Sequence, residues 1–188
     1  MSGQNDWKQI CDKVQHRLQE ATPRTVNKAQ LLRTKIFKCL TKAHDEGILN
    51  TKLHEMHKLL KIKESKEQGK GVLEIIGGER NFKRSRDIPH FERYDKCWFD
   101  FAILVEQNPK SAEIIGFNFE IRFPEESSMQ FLRFDLNLPG HNNQDRGMRF
   151  HLHPGSDDLM IHAPPMSPLE ILHLFLYGLP LTRKPRAS

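Results

Sequence analysis

An α+β fold follows from three features of this 188-residue chain. Apolar residues recur at helical spacing through the first third. From about Tyr94 the period switches to two, and near residue 167 a capping sequence opens one last helix. The expected architecture is a set of N-terminal helices, then an antiparallel β-meander with a short C-terminal helix packed on it. Residues 1–70 form a basic helical segment and residues 71–188 the sheet plus final helix, together one compact unit.

Trp7, Ile10, Cys11, Val14 and Leu18 make the first helical stripe, which stops before Pro23. Leu32, Ile36, Cys39, Leu40 and Ala43 make the second, with Gly47 placed to end it. Leu53, Met56, Leu59 and Leu60 make a third, capped by Thr51 and ending at Gly69 or Gly71. Residues 66–93 read as the joint: a polar stretch, a short apolar strand from Val72 to Ile76, then a basic loop after Gly77-Gly78.

Alternation then takes over. Cys97, Phe99, Phe101, Ile103 and Val105 alternate with Trp98, Asp100, Ala102 and Leu104. After the Asn108-Pro109-Lys110-Ser111 turn, Ile115 to Phe123 repeats the pattern, with Asn118, Glu120 and Arg122 on the polar side. Leu132, Phe134 and Leu136 alternate with Arg133, Asp135 and Asn137; Met148, Phe150 and Leu152 alternate with Arg149, His151 and His153. Ser167-Pro168 and Glu170 then cap a helix carrying Ile171, Leu172, Phe175 and Leu176, which Gly178 ends.

Composition narrows the class. Three cysteines cannot pair completely and show no zinc-ribbon spacing, so reduced thiols in a cytoplasmic protein are expected. The polar start Met1-Ser2-Gly3-Gln4-Asn5-Asp6 has no signal-like apolar stretch, and no run approaches the roughly 18 apolar residues of a membrane span. Residues 1–70 carry a balance of +7 and the remainder −2. With the Lys83-Arg84-Ser85-Arg86 loop and the Arg183-Lys184-Pro185-Arg186 tail, this asymmetry favours an anionic partner such as nucleic acid, RNA above all. Solvated helix faces would show the same charges.

One sheet face therefore gathers Asn118, Glu120, Arg122, Arg133, Asp135, Asn137, Arg149, His151 and His153, and the loop residue His141 can fold over it. A solvated, salt-bridged face is the bland reading. Its arginines, histidines and short carboxylates suit chemistry better than solubility alone requires.

Three chemistries fit. In metal-free RNA cleavage, His151 and His153 act as acid and base, Asp135 orients an imidazole, and Arg133 and Arg149 hold the phosphate, with Arg122, Lys83, Arg84 and Arg86 as further substrate contacts. No cofactor is then needed. In the metal alternative, His151 and His153 bind a divalent ion completed by His141, Asp135, Asp157 or Asp158. His151-Leu152-His153-Pro154 partly resembles JAMM-type isopeptidases and cupins, but Ser156-Asp157-Asp158 comes too soon for the first. The second needs a downstream histidine motif absent here. A third reading takes Asp100 with Glu120-Ile121-Arg122 as a restriction-endonuclease-type metal pair, although arginine cannot shed a proton to activate water.

The stretch Phe131-Leu132-Arg133-Phe134-Asp135, with Pro139-Gly140-His141 and Phe150-His151-Leu152-His153, is similar to the C-terminal motif of the TumE-like bacterial toxin family. Those chains show an Arg-aromatic-Asp-Asn strand, a Pro-His pair and a histidine cluster before a final short helix. Here Leu136 separates Asp135 from Asn137, Gly140 precedes His141, and a helical third comes first. The resemblance implies a small toxin encoded beside a DNA-binding antitoxin, with Arg133, Asp135, His141, His151 and His153 as site residues. The sequence thus points to a nucleic-acid-directed protein, a toxin-like or defence-associated RNase. The alternative is a non-catalytic nucleic-acid- or protein-binding module of a toxin–antitoxin or nucleoprotein complex.

Overall fold

The computed structural model describes residues 25–181 apart from 27, 82 and 110. The expected first helix and the basic C-terminal tail lie outside those residues. The class is α+β, as the periodicities predict. The elements are β1 (Thr25–Val26), α1 (Ala29–Asp45), α2 (Leu53–Leu59), β2 (Leu60–Glu64), β3 (Val72–Gly77) and β4 (Phe91–Glu92). They continue with β5 (Trp98–Gln107), β6 (Ala112–Arg122), β7 (Phe131–Leu136), β8 (Phe150–Pro154), β9 (Ile161–His162) and α3 (Pro168–His173). All strands pair antiparallel in one sheet of order β2-β3-β5-β6-β7-β8-β9, with β1 on β6 and β4 on β5.

α1 forms where the second stripe predicts it, burying Ala29, Leu32, Ile36, Leu40 and Ala43 at spacings of three and four. Gly47 adopts φ 69°, and its N–H donates to the His44 carbonyl, so the chain leaves the helix there. The capping box of α3 is also made: Ser167 Oγ accepts from the Glu170 N–H at 3.3 Å, and Glu170 Oε2 accepts from the Ser167 N–H at 2.6 Å. α3 runs on into a π turn, Leu174–Gly178, whose Phe175 meets Phe99, Phe119 and Phe134. Together α1 and α3 close the apolar sheet face. Buried Arg93 donates to the Phe175 and Leu179 carbonyls, satisfying the end of that last turn.

Two expectations about the third helix need correction. The third helix stops at Leu59 instead of reaching Gly69 or Gly71, and Leu60–Glu64 becomes β2, paired with β3 residue for residue. Leu-Leu-Lys-Ile-Lys satisfies either period, and the open edge of β3 decides for the strand. Thr51 is not the cap of α2. Its hydroxyl accepts the Glu92 N–H at 2.8 Å, while Glu55 reaches back to the Lys52 N–H at 3.2 Å. The short β4 went unpredicted, because two residues carry no periodicity.

Close packing around Phe101 makes one glycine indispensable. Phe101 stacks on Phe119 with centroids 4.8 Å apart and on Phe91 at 6.0 Å. A Cβ at Gly77 would lie 2.2 Å from two Phe101 ring carbons. Gly77→Ala should therefore destabilise the fold by about 1–3 kcal/mol through overpacking, read as a lower urea midpoint. An unchanged midpoint would mean that the ring has room to move.

The other face of the central strands is covered too. Described residues of the loop after Gly78 lie over it, held by buried Asn81, whose side chain and carbonyl bond Ser85 and Arg122. β5 is consequently buried on both faces over most of its length. Among the described residues no helix is long and apolar enough to cross a membrane.

Candidate functional site

Register brings the polar residues together in rows. Asp100 pairs across with Glu120, Glu120 with Arg133, Arg133 with His153, and Asp135 with Asn118 on one side and His151 on the other. Cross-strand partners share a face, so the sequence-derived alternation becomes one continuous polar surface. The centre of that surface is not open to water. Asp100, Glu120, Arg122, His151 and His153 are all buried. The bland reading is corrected in one half only: the face is salt-bridged, but its central residues are not solvated.

The histidines converge. His151 Nε2 lies 3.1 Å from His153 Nε2, and Asp135 Oδ2 is 3.5 Å from His153 Nε2 and 3.8 Å from His151 Nε2. His151 Nδ1 sits 2.9 Å from the Met148 carbonyl oxygen, which can only accept, so Nδ1 carries the proton. In neutral His151 the Nε2 lone pair therefore points into the cluster. Asp135 is oriented from both ends, by Asn118 Nδ2 at 2.5 Å and Arg133 Nε at 2.9 Å. Burial lowers the His151 pKa below the ordinary imidazole value, with the Asp135 charge opposing and the His153 neighbour reinforcing.

Beside it lies a charged network. Arg122 bonds Asp100 through Nη1 and Glu120 through Nε at 2.8 Å, with its guanidinium 4.5 Å from the Trp98 ring centre. It thus occupies the place between Asp100 and Glu120 that a cation would take in the restriction-endonuclease reading. Arg84, at φ 52°, lies 3.6 Å over the Phe131 ring and donates to Glu120 at 3.0 Å. Its Nη2 also donates to both Asp157 oxygens, at 2.9 and 3.0 Å, and Arg133 Nη1 meets Asp157 Oδ1 at 2.5 Å. Burial works against ionised Asp157, yet the Arg84 hydrogen bond and the Arg133 charge hold its carboxyl below the usual range.

Burial pushes the Asp100 carboxyl up to about 6, against the opposing pull of Arg122. Because the folded-state value lies above the unfolded one, this group's stabilisation is complete below pH 3.8 and lost as the pH rises through about 6. Stability of the wild type relative to Asp100→Asn should fall by about 3 kcal/mol from well below pH 3.8 to well above pH 6, measured by denaturant unfolding at each pH. A constant difference across that range would rule out an elevated Asp100.

The remaining predicted residues disperse. His141 is exposed in the β7–β8 loop, where its Nδ1 accepts the Asn143 N–H at 3.2 Å, and it does not join the cluster. Arg149 clips backbone, donating to the Asn137 and Ile115 carbonyls at 2.9 and 2.8 Å. Arg86 pairs with Glu92 at 3.3 Å and bonds the Lys96 carbonyl. Lys83 is exposed. The lysines of α1 lie on the opposite layer from the histidines, whereas Lys61 and Lys63, by register with Ile76–Ala102 and Glu74–Leu104, stand on the polar face. Sequence reasoning missed Asn81 and the bridging role of Asp157. No period marks either, because both lie outside the helices and strands.

Comparison with models of known protein families, with curated proteins and with solved structures finds no match.

Proposed function

We propose that this chain is a nucleic-acid-directed enzyme that cleaves RNA phosphodiesters at the Asp135–His151–His153 cluster, in the manner of a toxin or defence RNase. The observation that carries this reading is the convergence of Arg84 and Arg133 on Asp157, a residue whose side chain is 52% exposed. Two guanidiniums gripping one carboxylate make a geometry that a phosphate can occupy equally well. Arg133 is the cross-strand partner of His153, so a phosphate in place of Asp157 would stand beside the cluster. Asp157 is then an internal stand-in for substrate, and its displacement opens the way to the buried imidazoles. Lys61 and Lys83 supply salt-dependent attraction on the same side.

The test is cleavage of a labelled mixed RNA pool. Asp157→Asn should raise RNA affinity and turnover several-fold, because it weakens the competing internal anion, while His153→Gln should lower turnover by about 10²–10⁴-fold. Equal rates for wild type and His153→Gln, or weaker RNA binding by Asp157→Asn, would end this reading.

One observation favours a second reading. His151 and His153 are 3% and 4% exposed, and Arg84, Arg122 and Arg133 all have internal carboxylate partners. A surface so fully self-paired also suits a non-catalytic module that meets nucleic acid or a protein partner through its outer lysines. Binding of RNA without turnover in any variant would support it.

A further inference from the structure

Among the described residues, one group of three side chains offers ligand atoms close enough to share an ion: Asp135, His151 and His153. We propose that these residues hold a single divalent first-row transition metal, of the zinc, cobalt or manganese class. The inference rests on the reading of this cluster as the chemical site, and not on RNA being the substrate.

Distances carry the argument. The three facing atoms, His151 Nε2, His153 Nε2 and Asp135 Oδ2, form a triangle with sides of 3.1, 3.5 and 3.8 Å. A triangle of those sides has a circumradius of about 2.0 Å, and zinc–imidazole and zinc–carboxylate bonds are about 2.0–2.2 Å long. An ion at that centre would therefore stand at bonding distance from all three atoms. A structural salt bridge has no need for such a common centre, and two imidazole nitrogens at hydrogen-bond distance use only one edge of it.

The surroundings support two of the three ligands, while the buried His153 Nδ1 has no hydrogen-bond partner among the described residues. His151 donates Nδ1–H to the Met148 carbonyl, which frees Nε2 as a ligand, and Asp135 is fixed by Asn118 and Arg133. Across β8 from β7, His162 pairs directly with His151, and its buried Nδ1 has no hydrogen-bond partner among the described residues. Two neutral imidazoles and one carboxylate select a borderline transition metal over calcium or magnesium, which prefer all-oxygen shells. Three protein ligands also leave positions for water or substrate, so the centre belongs to the catalytic type more than to the closed structural type.

The experiment uses the full chain, stripped with chelator and titrated with Co²⁺ and Zn²⁺. One equivalent of Co²⁺ should produce visible d–d absorption, and Zn²⁺ should displace it. Asp135→Asn and His153→Gln should weaken binding at least 100-fold, and Asn118→Ala, which only positions Asp135, by about 10–100-fold. X-ray absorption of the wild-type zinc complex should show two imidazoles and only nitrogen and oxygen ligands. Sulfur scattering, equal affinity in the Asp135 and His153 variants, or no Co²⁺ spectrum in the wild type would each overturn the proposal. The absorption experiment decides the matter even where a variant fails to fold. Metal binding without RNA cleavage would uphold this inference and sink the RNase reading. Cleavage that persists in chelator, with no metal bound, would do the reverse.

Discussion

Arg122→Met should destabilise the protein by about 3–5 kcal/mol, the effect expected when one partner of a buried ion pair is removed and the other charge stays behind. Arg122 is 3% exposed and neutralises Asp100 and Glu120, each 2% exposed, on neighbouring strands. It also donates to the Asn81 carbonyl at 3.1 Å, so its loss releases the loop that covers the polar face. Methionine keeps most of the volume over Trp98, which isolates the electrostatic part of the effect. The triple change Arg122→Met, Asp100→Asn and Glu120→Gln should recover much of the loss, since no unpaired charge remains. Denaturant melts of both variants decide the point. Equal stability of the single and triple variants would mean that water already reaches the carboxylates.

His153→Gln should lower RNA cleavage by about 10²–10⁴-fold, the range typical of losing a positioned proton-transfer group and a fair bound for losing a ligand. Glutamine fills similar space and can bond Asp135, but it cannot accept a proton near neutrality. Alanine is the poorer probe, because His153 is buried and its removal would leave a cavity. Burial also means that the wild-type rate includes the opening of the Arg84–Asp157–Arg133 bridge. Asp157→Asn combined with His153→Gln should therefore bind RNA better than the wild type and still show the His153→Gln loss of cleavage. Single-turnover kinetics separate the two effects. Residual cleavage of the double variant at the Asp157→Asn rate would place the chemistry elsewhere.

Much of the fold was legible because it is written in local periods. Spacings of three and four predicted α1, strict alternation predicted β5 to β8, and Ser167 with Glu170 predicted the start of α3. The same alternation placed Asp135, His151 and His153 on one face, and the register made them neighbours. His141 was not legible in this way. A loop has no period to aim a side chain, and that loop keeps the histidine at the surface.

By itself the sequence determined the α+β class, the strand faces and the identity of the histidine-carboxylate row, since each depends on a residue's immediate neighbours along the chain. Only the tertiary structure decided that Leu60–Glu64 is a strand, that the Arg122 end of the polar face lies beneath Asn81 and Arg84, and that its arginines are bound internally. Those outcomes depend on which groups meet across separations such as that between Arg84 and Asp157. A buried charge must find an opposite charge or a hydrogen-bond partner wherever the chain brings one within reach. Local alternation records that a residue is polar, but the long-range partner settles whether it faces water, another side chain or an ion.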